Sequence, residues 1–175
     1  MREEAVSPVI GVLLMLTLTL IIAAIVNSYA GGLMETESKA PSLTLQMSYS
    51  IVHGMEIRHV SGDPLPISTV KLMVRPSETF GRNASQYSSH IEKRYITNSD
   101  GASWADNITS LRPGEVGYIT NKSNEYNLSY LQYDLLDSKY KPYWFNQSTN
   151  AGNTFFLEVY YKNTMISRNE VLIEG

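Results

Sequence analysis

Apolar and polar positions follow two different patterns along this chain. From Ala5 to Met34 no residue is charged, a run of 30 positions. The run contains Val9, Ile10, Leu13, Leu14, Leu18, Ile21 and Ile25, and apolar side chains fall on every side of the helix it predicts. A helix without a polar stripe has to be covered all round, by lipid or by other helices. Ser7-Pro8 is a suitable helix start, because Ser can cap free N–H groups and Pro at the first position loses no bond. Gly31-Gly32 reads as a stop or hinge. Pro8 to Ala30 is 23 residues, which as a helix is about 35 Å and spans a bilayer. Thr17 and Thr19 can bond back to the helix backbone, and Gly11 allows a neighbour to approach closely.

After Glu35 the period changes from helical to alternating. Leu43, Leu45, Met47 and Tyr49 alternate with Thr44, Gln46, Ser48 and Ser50, the pattern of a half-buried strand. Further strands are predicted over Met55–Val60, Thr69–Val74, Arg94–Thr97 and Glu115–Thr120. Turn residues stand between them at Ser61-Gly62-Asp63-Pro64 and Arg112-Pro113-Gly114. A short helix is predicted over Leu128–Leu136. Phe155–Lys162 alternates again, and a turn at Asn163-Thr164 returns the chain as Met165–Ser167 and Val171–Ile173, a hairpin. The fold class is therefore α+β: a long N-terminal apolar helix followed by an antiparallel β-sandwich, Ig-like head. The predicted organisation is residues 1–5, a leader; 6–32, the helix; 33–41, a polar linker containing Glu35, Glu37 and Lys39; and 42–175, the head.

Composition narrows the functional classes. The net charge of −3 argues against a nucleic-acid-binding surface. The absence of cysteine excludes disulfides, thiolate metal sites and a cysteine nucleophile. His53, His59 and His90 do not have metal-ligand spacing, and no nucleophile elbow or phosphate loop occurs. No cofactor, metal or catalytic residue is expected. The Tyr-rich stretch with Tyr126, Tyr130, Tyr133, Tyr140, Tyr143 and Trp144 reads as core and subunit contact before sugar platform. Five N-x-S/T sequons, at Asn83, Asn107, Asn121, Asn127 and Asn146, point to glycosylated surface loops. A secretory signal peptide is the rival reading of the N-terminus. It usually has a shorter apolar region and a basic start, whereas Arg2 here is followed by Glu3 and Glu4. Ala23-Ala24 imitates a cleavage site, but the apolar run continues past it.

Ala5-Val6-Ser7-Pro8-Val9-Ile10-Gly11-Val12-Leu13-Leu14-Met15 resembles the N-terminal segment of archaeal type IV pilins. Ile57-Arg58-His59-Val60-Ser61-Gly62-Asp63-Pro64-Leu65 is similar to a sequence between two strands of their heads, and Arg112-Pro113-Gly114-Glu115 to a turn before a later strand. The resemblance implies a membrane-inserted precursor cut between Ala5 and Val6 by a prepilin peptidase. An assembly ATPase and a membrane platform protein would then draw identical subunits into an extracellular helical homopolymer, with Pro8, Val9, Ile10, Gly11, Leu14, Leu18, Ile21 and Ile25 in its core. Glu3 and Glu4 stand where leaders of this family are usually basic. Ile10 stands where bacterial pilins carry a Glu that pairs with a neighbour's amino group. The implied function is a filament subunit for surface adhesion. The alternatives are a minor pilin, or a membrane-anchored extracellular β domain that does not polymerise.

Overall fold

The computed structural model describes residues 6–33, 39–106, 108–120, 130–135 and 137–175. The chain divides into two compact units, Met1–Lys39 and Ala40–Gly175. In the first, α1 runs from Val6 to Leu33. Pro8 sits in its first turn, where N–H groups have no helical partner to lose. Gly31 and Gly32 lie inside the last turn and do not stop the helix. A glycine costs only about 1 kcal/mol in a helix, and its N–H and C=O can still join the ladder.

The second unit is a sandwich-like, curled and mostly antiparallel sheet. Its strands are β1 (Leu43–Ser50), β2 (Gly54–Gly62), β3 (Leu65–Pro66), β4 (Val70–Pro76), β5 (Ser89–His90), β6 (Ser110–Leu111), β7 (Val116–Ile119), β8 (Thr154–Tyr161) and β9 (Thr164–Glu174). Seven of them form one sheet in the order β5-β4-β8-β9-β1-β2-β7, and β3 pairs with β6. The two halves of the sheet meet at a short parallel contact, Tyr49 with Ile173 and Ser50 with Glu174. Elsewhere β1 and β9 diverge, and the Asn169 side-chain amide crosses to donate to the Leu45 carbonyl at 3.1 Å. Alternation decides which side chains enter the core. Leu45 and Tyr49 from β1, Met55 and Ile57 from β2, and Phe155, Leu157 and Val159 from β8 are all buried.

The strand boundaries correct the sequence pattern in three places. Arg94–Thr97 is not a strand: Lys93–Tyr95 forms a 3-10 turn, and only Thr97 bridges to Ser103 and Tyr118. Thr97 exchanges both backbone bonds with Tyr118 on β7, but the pairing does not extend along the segment. The short helix expected at Leu128–Leu136 is a 3-10 stretch, Tyr130–Leu135, broken at Gln132; Leu128, Ser129 and Leu136 lie outside the described residues. Gln132 leaves helical geometry because its buried amide is used elsewhere. It donates to the Tyr143 carbonyl at 2.9 Å and accepts from the Phe145 N–H at 2.7 Å. Finally, the two short return strands are one continuous β9. Arg168, Asn169 and Glu170 interrupt the apolar pattern but stay in register with Glu158, Leu157 and Phe156. Lys162 and Asn163 make the tight turn between β8 and β9, both with positive φ (45° and 68°).

The long connection from β4 to β8 fills one side of the core. Phe145 is fully buried and stacks on Phe155, with centroids 4.2 Å apart and planes 16° apart. Tyr49 meets Phe155 edge-on at 5.6 Å. Trp144 is buried too and donates its indole N–H to the Leu135 carbonyl at 2.8 Å. The tyrosines of this stretch that the structure describes, Tyr133, Tyr140 and Tyr143, stay half-exposed. Its core residues are Leu131, Leu135, Trp144 and Phe145.

Candidate functional site

Exposed apolar surface is concentrated on α1. Fourteen large apolar side chains between Val9 and Tyr29 are exposed, against four in the described part of the head: Val52, Val60, Met165 and Leu172. Leu14, Leu18, Ile21 and Ile25 are each more than half exposed, at 65, 58, 56 and 55%. The Thr17 and Thr19 hydroxyls are satisfied within the helix, donating to the Leu14 and Leu16 carbonyls at 2.9 Å. A Cβ added at Gly11 would meet nothing within 4 Å, so that position is open to a neighbouring helix. Pro8–Tyr29 is 22 residues, and its most apolar 18-residue stretch has a mean hydropathy of 3.0. At 1.5 Å per residue this is about 33 Å, enough to cross a hydrocarbon core of about 30 Å. Pro8, Val9, Ile10, Gly11, Leu14, Leu18, Ile21 and Ile25 all lie on this helix, and Val6 is its first residue. Ala5 lies outside the described residues.

The described part of the head carries no comparable apolar face but has three polar constructions, of which the sequence reading touched only the first. The first closes the start of β1. The Ser42 N–H donates to the Asp63 carboxylate at 3.0 Å, and the Asp63 N–H returns to the Ser42 carbonyl at 2.9 Å. Gly62 makes this possible: at φ 107° a Cβ would lie 2.3 Å from the Ser42 carbonyl oxygen. Behind it the fully buried His59 ring lies 3.1 Å from both the Leu111 and Ser61 carbonyl oxygens. The sequence signals here were the turn cluster at Ser61–Pro64 and the resemblance carried by Ile57–Leu65, which contains both His59 and Asp63.

The second construction is on the outer face of the β4–β8–β9 layer. Glu158, 2% exposed, accepts from Arg75 Nε at 3.1 Å and Nη2 at 3.3 Å, and from the Tyr160 hydroxyl at 3.0 Å. Arg168 lies 3.6 Å away. Burial pushes the Glu158 carboxyl up, but the Arg75 and Tyr160 hydrogen bonds and the two guanidinium charges outweigh it and hold the group below its usual range.

The third joins β5 to the long connection. His90 Nδ1 lies 2.5 Å from Asp134 Oδ2, Nε2 lies 2.9 Å from Glu92 Oε1, and the His90 N–H donates to the same Asp134 oxygen at 2.8 Å. Arg94 stands 3.8 Å from Glu92, and the Tyr133 ring lies against the imidazole at 6.0 Å. The Glu92 hydrogen bond raises the His90 pKa, burial opposes it, and Asp134 raises it further, for a net upward shift. A raised histidine pKa contributes stability that is complete below the unfolded value of about 6.5 and is lost as pH rises through the folded value above it. Urea midpoints of the protein in detergent should therefore fall as pH rises from about 6 to 8. His90→Gln should flatten that slope. An identical slope in the variant would show that this clasp does not set it.

Of the sequon asparagines, Asn107, Asn121 and Asn127 lie outside the described residues. Asn83 is exposed, at positive φ (65°), with no side-chain cap bond. Asn146 is half-buried beside Phe145 and accepts from Gln147 Nε2 at 3.3 Å.

Residues 4–45 match the family described as archaeal type IV pilin, N-terminal. An uncharacterized protein of Archaeoglobus fulgidus is 33% identical over 139 residues, which is 78% of this chain and 85% of that protein. The second likeness is far longer than the helical unit, so it extends well into the head. The matched segment spans the apolar helix that opens with Ser-Pro-Val-Ile-Gly and reaches into β1; the chain therefore carries the N-terminal segment of the archaeal type IV pilin family, followed by a β head.

Proposed function

We propose that this chain is the structural subunit of a type IV pilus-like filament on the cell surface, with a role in adhesion. The observation that carries this reading is α1, exposed and apolar on all sides over a length that suits both a bilayer and a bundle of like helices. The two environments are alike in polarity, so moving the helix from lipid into a core of identical helices costs little hydrophobic energy. The assembly energy then comes from helix packing and contacts between heads, repeated along the filament. Open head-to-tail contacts between identical subunits give fibres and not closed rings. The precursor sits in the membrane, a prepilin peptidase cuts between Ala5 and Val6, and an assembly ATPase and platform protein extract the subunit. The head then faces the outside, and its role is structural and not catalytic.

The test is electron microscopy of filaments sheared from cells that make this chain, with N-terminal peptide mass spectrometry of their main component. The expected result is thin filaments whose subunits begin at Val6. Chain found only in membranes, never in filaments, would favour a monomeric anchored domain. Assembled subunits that keep Arg2-Glu3-Glu4 would overturn cleavage at Ala5.

A head on the outside also makes a prediction about its sequons. A glycan needs an asparagine that stands clear of packed neighbours. Glycopeptide mass spectrometry should find Asn83 occupied, and Asn146 occupied less. Unmodified Asn83 in mature filaments would remove glycosylation from the account of this loop.

A further inference from the structure

We infer that a basic groove at the open edge of β4 receives the acidic linker, Glu35-Thr36-Glu37, of a neighbouring subunit. The inference rests on the filament reading above and assigns one of its contacts. β8 pairs with β4 from Val70 to Pro76, whereas β5 pairs only with Met73 and Val74 and the Ile91 N–H adds one bond to the Leu72 carbonyl at 2.9 Å, which leaves Val70 and Lys71 uncovered. The uncovered stretch borders a groove of about 840 Å³. Buried Val70 and Leu72 form its floor, and Lys71, Lys93, Arg94 and Lys162 stand along it. Four of the chain's 14 Lys and Arg residues thus gather in one place on a protein of net charge −3. Glu92 is the one acidic residue lining it among the described residues, and it already meets His90 and Arg94.

Two of these cations are held on neutral oxygens. Lys71 Nζ donates to the Asn163 side-chain oxygen at 3.0 Å. Lys93 Nζ donates to the Ile67 carbonyl at 2.5 Å and to the Ser68 carbonyl at 3.2 Å. Burial and then the nearby Lys71 charge lower the Lys93 pKa, which means that the two ammonium groups repel one another. A carboxylate between them would remove that repulsion and add charge-assisted hydrogen bonds.

The linker has the matching chemistry. Glu35 and Glu37 are two carboxylates within three residues, opposite in charge to the groove. The location matches too. Val70 pairs with Tyr161, next to the β8–β9 turn, and β1 runs parallel to β9. The groove therefore lies at the end of the head where β1 starts, the end that receives each subunit's own linker.

The experiment uses full-length chains in cells, with filament yield compared at equal amounts of membrane-inserted precursor. Lys71→Glu alone, and Glu35→Lys with Glu37→Lys, should each reduce yield at least about fivefold, because like charges then face each other across the contact. Co-expressing the two reversed chains should restore filaments, since each linker then finds an opposite charge on the other chain's head. Lys162→Glu provides a second reversal in the groove, and unchanged urea midpoints for both groove variants exclude misfolding as the cause. Undiminished yield from every reversed chain overturns the inference. So does rescue when all changes are placed in one chain but not on co-expression, which would make the contact intramolecular. Retention of polyglucuronate by unchanged filaments but not by Lys71→Glu filaments of normal yield would assign the groove to a polysaccharide and also overturn it. Failure of the unchanged chain to form filaments would instead overturn the filament reading itself.

Discussion

Leu18→Lys should abolish filaments without preventing insertion of the precursor. Leu18 lies near the middle of Pro8–Tyr29 and is 58% exposed on the isolated helix. Insertion scales put a lysine at this depth at about 2.5–3.5 kcal/mol. The rest of α1 is apolar enough to carry that cost, and in a bilayer the long side chain reaches toward the interface. A core of packed helices offers no such route to water. In such a core the ammonium would have neither water nor a partner, and the penalty would recur at every subunit. Filament yield at equal membrane-inserted precursor is the measurement. Ser48→Lys is the control: Ser48 is exposed on β1 opposite Glu56, and surface changes of this kind usually stay within about 0.5 kcal/mol. If Leu18→Lys inserts and still polymerises at the control's yield, the helices do not pack in a dry core, and the anchored-domain reading gains.

Phe145→Ala should give the largest loss of head stability, about 3–5 kcal/mol, the usual range for deleting a buried aromatic ring. Phe145 is fully buried, stacks on Phe155 and lies within 6.4 Å of Tyr49 and 5.7 Å of Phe80. Its loss leaves a cavity where the long connection meets the sheet. The backbone bond from its N–H to Gln132 survives the change, so the cost isolates packing from hydrogen bonding. Typical domains are stable by only about 5–15 kcal/mol, and the variant should unfold at much lower urea. Trp104 and Trp144 are the two tryptophans of the chain and both lie in the head, so their fluorescence reports on it and not on α1. A loss below about 1 kcal/mol would mean that this contact is not part of the cooperative core.

The helix and the long strands were legible in the sequence because each is fixed by its own local period. An uncharged run from Ala5 to Met34 leaves α1 no other solution, and the alternation of Phe155, Leu157, Val159 and Tyr161 orients β8 without reference to anything distant. The long connection was not legible, because its shape is set by bonds from side chains to remote backbone. Gln132 satisfies Phe145, Trp144 satisfies Leu135, and Asn150 satisfies the Pro142 and Trp144 carbonyls. None of these pairs produces a period. The apolar helix of the candidate site was readable for the same reason as its secondary structure. The cationic groove was not: Lys71, Lys93 and Lys162 are far apart in sequence and come together only when β4 pairs with β8 and the segment after β5 folds back over the edge.

The closure at the start of β1 has a mechanical consequence. In a filament under tension, pull along the chain reaches each head through Ser42, and the paired bonds between Ser42 and Asp63 are the first to carry it. From there the load passes into β2, which is tied by His59 to the Leu111 carbonyl on β6 and paired with β7 at its other edge. Force entering at one residue is thus divided among three strands before it can begin to peel β1 from the sheet.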